Sequence, residues 1–151
     1  MGRISKVWLQ VDLLEDDPSE ASEVTQLIGF EPTAIVSCGF SSLPKRGSWV
    51  CEFHNPEAPR LEDDVIALVH FLEGRTEAIR RVAVRYPTVI VVHINDQDWI
   101  WPYEPNGPRS GGFELSSEFI HFASGAGLSV KVHFFCGLAS GLKAGQAGSS
   151  I

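Results

Sequence analysis

Residues 6–14, KVWLQVDLL, put Val7, Leu9, Val11 and Leu13 on one side and Trp8, Gln10, Asp12 and Leu14 on the other. A period of two is the period of a β-strand, and apolar residues on one side alone require a sheet with one covered face. The alternation returns in SWVCEFH (48–54), where Trp49, Cys51 and Phe53 oppose Val50, Glu52 and His54, and again in LSVKVHFFC (128–136). TVIVVHI (88–94) is rich in β-branched residues, the composition of a well-buried strand. Such strands need an apolar cover, and the segments between them supply it.

In DPSEASEVTQLIG (17–29), Asp17 is placed to cap a helix, Pro18 suits its first position and Glu20 completes a capping box. Ala21, Val24, Leu27 and Ile28 form its apolar stripe, and Gly29 ends it. Between residues 61 and 86, Leu61, Val65, Leu68, Leu72, Ile79, Val82 and Tyr86 recur near helical spacing. Acids lead this stretch and arginines trail it, as the helix dipole favours; Gly74 leaves open whether it is one helix or two. Ser116 caps a short helix over 117–125 with Phe119, Ile120 and Ala123 on its apolar side. Residues 31–47, with their prolines, glycines and serines, read as a long loop. After the turn NDQD, WIWPY (99–103) reads as the return strand of a hairpin. Pro102 cannot donate to a ladder, so that strand belongs at a sheet edge.

The order β-α-β-α-β-β-α-β predicts an α+β two-layer sandwich, with three helices on one face of a mainly antiparallel sheet of four or five strands. A ferredoxin-like arrangement is the nearest architecture. Residues 1–136 form the single domain, and the Gly/Ala/Ser-rich residues 137–151 read as a flexible tail.

Several pieces of this order resemble the bacterial domain-of-unknown-function family 4279. They are LIGFEPT (27–33), KRGSWVCEF (45–53), LEDDVIALVHFL (61–72) and LSSEFIHFASGAGLSVKVHFF (115–135), covering about residues 6–136. Ser117 departs from the proline expected at the first helical position, and DWIWPY (98–103) is more aromatic than the family pattern. The resemblance implies a small α+β domain and carries no assigned reaction.

Charge narrows the partners. Twelve Lys+Arg against nineteen Asp+Glu give a formal net charge of -7, a field that repels phosphate backbones, and no dense Lys/Arg run offsets it. Nucleic acid is therefore not an expected partner. The longest aliphatic run, VIVV (89–92), is too short to cross a bilayer, so no membrane role is expected either. Cys38, Cys51 and Cys136 lack zinc or CxxC spacing and read as reduced thiols, which points to the cytoplasm. Cys51 and His54 point to opposite faces of their strand, and no metal or cofactor is expected. Nucleophile elbows, HExxH and phosphate-binding glycine loops are all missing from the sequence.

Two constellations remain. Strand parity turns Trp8, Gln10, Asp12, Glu52, His54, His93, Lys131 and His133 to the face away from the helices. His93 or His133 could serve there as a base with Asp12 or Glu52 as orienter, the pairing a small enzyme would use. The competing reading, a sheet showing water its polar face, is the favoured one. The other constellation joins Arg46 and Trp49 to Trp99, Trp101 and Tyr103, residue types that dominate interface hot spots. The alternative is that these rings merely cover the sheet edge. The leading expectation is a non-enzymatic module binding a protein partner, or itself as a homo-oligomer, through the aromatic edge strand. No motif names a small-molecule ligand.

Overall fold

The apolar side of the first strand, β1 (Lys6–Asp12), is where the core is built. In the structure, a computed structural model describing residues 4–14, 18–37, 47–58, 60–95, 98 and 114–135, Val7, Leu9 and Val11 are all 0% exposed. β1 is followed by α1 (Pro18–Ile28), β2 (Ala34–Ser37), β3 (Gly47–Phe53), α2 (Leu61–Glu73), α3 (Thr76–Arg85), β4 (Thr88–Asn95), α4 (Ser117–Ala126) and β5 (Ser129–Phe135).

The strands form one sheet in the order β2-β3-β1-β4-β5. β1 is antiparallel to both β3 and β4, and β2 is antiparallel to β3. These four strands, with α1 between β1 and β2 and α2–α3 between β3 and β4, make the ferredoxin-like arrangement. β5 is added outside β4 and runs parallel to it, so α4 serves as the crossover that a parallel pair requires. The result is an α+β sandwich whose sheet is mostly antiparallel.

The helices cover the face that carries Val7, Leu9, Val11, Trp49, Cys51, Ile90, Val92 and Ile94. Leu68 and Leu72 of α2, Ile79 and Val82 of α3, and Phe119 of α4 meet them, all fully buried. Each such side chain contributes about 1.5–3 kcal/mol by leaving water. Every residue of the expected 61–86 stripe is buried.

The structure departs from the sequence reading in several places. Residues 31–47 are not all loop, because β2 lies within them. Thr33 starts it: its N–H donates to Val50 O at 2.8 Å, and its Oγ1 donates to the same oxygen at 3.0 Å and accepts from Glu52 N. The 61–86 segment is two helices, which makes four in all among the described residues. At the break, the Arg75 guanidinium lies 5.2 Å from the Phe30 ring centre and 4.7 Å from that of Phe71, while Thr76 Oγ1 caps Glu73 O at 2.8 Å. Leu27 and Ile120, expected in apolar stripes, are 40% and 55% exposed; Phe122 and Ala126 take the place of Ile120 in the α4 contact. The N-cap of α4 is as expected, with Ser116 Oγ accepting from Phe119 N at 3.1 Å. Gly127, at φ 71°, closes that helix in the left-handed conformation that glycine adopts without strain. The expected Asp17 cap, the return strand 99–103 and the tail 137–151 lie outside the described residues.

Candidate functional site

The register of β1 decides which outward side chains meet. Across β4 it places Lys6 opposite His93 and Trp8 opposite Val91; across β3 it places Trp8 opposite Glu52 and Asp12 opposite Ser48. The parallel β4–β5 register then sets His133 beside His93 and Phe135 beside Asn95. Lys6, His93, His133 and Phe135 therefore share one end of the uncovered sheet face.

At that end the His93 ring sits between two others, 6.1 Å from Trp8 and 5.9 Å from Phe135 between centroids. Lys6 Nζ pairs with Glu52 Oε2 at 3.1 Å and lies 5.8 Å from the Trp8 ring. Just past β3, His54 Nδ1 is 3.7 Å from Asp64 Oδ2 of α2. Asp64 is only 3% exposed, and both its oxygens accept from Asn55 N at 3.2 Å. Ile4, Lys6, His54, His93, Asn95 and Phe135 line an open pocket of about 550 Å³.

Asp98 fastens the chain beside this pocket. Its carboxylate accepts from Ile4 N at 2.8 Å, from Ser5 N at 2.6 Å and from Ser5 Oγ, while Ser5 Oγ accepts from Asn95 N at 2.8 Å. Burial holds the His93 imidazole below its ordinary pKa of 6.5; Lys6 and His133 add to that effect and Asp98 opposes it. The ring is accordingly neutral at pH 7.

Residues 6–136 match the model of a family described as Domain of unknown function (DUF4279). The chain belongs to this family. No curated protein and no solved structure matches it. The matched span begins with β1 and passes the end of β5, so every strand and helix described above lies within the DUF4279 domain.

Within that domain the expected acid–base set divides. Asp12 accepts from Gln10 Nε2 at 2.8 Å and Ser48 Oγ at 3.1 Å, and Gln10 Oε1 in turn accepts from Trp8 Nε1 at 3.0 Å. It stands six residues along β1 from Lys6, roughly 20 Å at the rise of a strand. Glu52 is committed to Lys6, and β1 lies between it and His93, a separation of roughly 9–10 Å across two strand spacings. Neither carboxylate orients either imidazole. Among the described residues, the imidazole–carboxylate pairs that do form are His54 with Asp64 and, on the helix side, His70 Nε2 with Glu118 Oε1 at 3.1 Å.

Of the expected aromatic set, Trp49 is corrected: it is 0% exposed and donates Nε1–H to Thr25 Oγ1 at 3.0 Å, so it belongs to the core. Arg46, Trp99, Trp101 and Tyr103 lie outside the described residues. Ile4, Lys6, Asn95, Asp98 and Phe135 were not singled out from sequence, because only strand pairing brings them to one place. Among the described residues no cluster of His, Cys, Asp and Glu is arranged to hold a metal ion, and no helix is long and apolar enough to cross a membrane.

Proposed function

We propose that this protein is a non-enzymatic cytoplasmic binding module that engages a protein partner, or a second copy of itself, on the β5 side of its sheet. One observation carries the reading. Ile90, Val92 and Ile94 of β4 are each 0% exposed, whereas their register partners Val130, Val132 and Phe134 on β5 are 36%, 41% and 67% exposed. The apolar layer of the core thus runs on past the helices to open surface, and apolar surface grouped in this way marks interaction sites. Trp99, Trp101, Tyr103 and Arg46 join the proposed surface on residue type alone, as the residues that most often anchor interfaces. The formal charge of -7 favours a basic partner by steering its approach. A buried, unpaired Cys51 thiol suits a reducing compartment.

Light scattering of wild type against Phe134→Ser and Trp101→Ala tests self-association. Native capture from lysate with the same three proteins tests a foreign partner. The reading predicts that both substitutions lower the oligomer mass or remove a captured protein. A monomer that captures the same proteins with and without the substitutions sinks it.

A further inference from the structure

We infer that the pocket where β1 begins and β4 ends binds a small organic monoanion, a carboxylate on a flat apolar body. Its volume of about 550 Å³ is that of a small-molecule site, between roughly 300 and 1,000 Å³. Its walls divide by chemistry. Lys6, His54 and His93 supply cationic or hydrogen-bonding nitrogen, Asn95 an amide, and Ile4 and Phe135 supply apolar surface, 44% and 50% exposed.

Charge selects an anion. Although the whole chain carries -7, none of the lining residues among the described residues is acidic. Among the described residues, the carboxylates nearby are engaged by the protein: Glu52 by Lys6, Asp64 by Asn55 N and His54, Asp98 by the start of β1. Lys6 has three N–H donors, and the contact with Glu52 takes one, which leaves donors for a ligand oxygen. One ammonium with a carboxylate already beside it matches a single negative charge better than a polyphosphate. A flat body is favoured by the two rings of the lining: Phe135, half exposed, sits 5.9 Å from the His93 imidazole at a 31° tilt, and a planar group can pack against such rings. The site lies on the sheet face opposite Val130, Val132 and Phe134, so it stands or falls separately from the protein-binding surface.

The test is a ¹H–¹⁵N NMR titration of the full chain with benzoate, benzylamine and inorganic phosphate. Benzoate is expected to give saturable shifts grouped on Lys6, the Trp8 indole, His93 and Asn95, with phosphate weaker and benzylamine inert. Lys6→Gln should weaken benzoate roughly tenfold, the scale of one charge-assisted hydrogen bond. Phe135→Ala should weaken it several-fold while leaving the Lys6 contact in place. Equal binding of benzylamine, shifts scattered over the surface, unchanged affinity in both variants, or no saturation by roughly 50 mM would each overturn the assignment.

Discussion

Lys6 and His93 stand opposite one another across the β1–β4 ladder, on the sheet face that the helices leave uncovered. Together with burial and the neighbouring His133, the ammonium disfavours a second positive charge on that imidazole. The unfolded chain takes up this proton near pH 6.5 and the folded chain only at lower pH, so the contribution is present above pH 6.5 and lost as the pH falls through the folded value. Thermal unfolding at pH 7 and pH 5 is the measurement. The wild type is expected to lose more stability between the two than His93→Gln, and an equal loss would contradict the assignment.

Cys51 is 6% exposed, and burial raises its thiol pKa to about 11, against a smaller lowering by Arg75. Thiolate is the reactive form, so this sulfur is expected to be inert. In a Cys38→Ser/Cys136→Ser background, labelling by a disulfide reagent at pH 8 should be negligible in the native protein and rapid in urea.

The Tyr86 hydroxyl donates to Glu23 Oε2 at 3.1 Å, joining the end of α3 to α1, and Arg85 pairs with the other oxygen of Glu23. Tyr86→Phe removes one hydrogen bond while keeping the ring, an expected cost of about 1–2 kcal/mol. In denaturant unfolding the midpoint should fall with an unchanged slope.

Asp98 holds the start of β1 through two backbone N–H groups and the Ser5 hydroxyl. Its replacement by alanine leaves those donors without this acceptor, an expected loss of about 2–3 kcal/mol. Asp98→Asn, which keeps one acceptor oxygen, should lose less. Chemical denaturation of the two variants measures the order.

The sequence reveals what strand and helix periodicity can encode. The alternation of Lys6–Asp12 names the buried and exposed sides of β1, and the spacing from Leu61 to Tyr86 names the helical core residues. Ser116 marks the start of α4 through local hydrogen bonding. β2 is harder to see, since four residues held by Thr33 and a single neighbouring strand leave no periodic trace. The site is less legible still. Parity says that His93 faces away from the helices, but the Lys6–His93 and His93–His133 pairings follow from strand order, which no local pattern carries. Trp49 shows the converse error: an aromatic near an arginine resembles an anchor until the bond to Thr25 shows it inside the core.

β1 occupies the middle of the sheet, yet its two neighbours are encoded at Gly47–Phe53 and Thr88–Asn95. On the ribosome β1 gains its second ladder only when the chain has been made as far as Asn95, and it has no ladder at all until Gly47–Phe53 has been made. Until then Val7, Leu9 and Val11 are exposed on a nascent chain, the kind of surface that chaperones bind and that aggregates at high expression. Pairings so distant along the chain also slow refolding of the released protein. The strand synthesised first is completed late, and the yield of soluble protein depends on how that interval is covered.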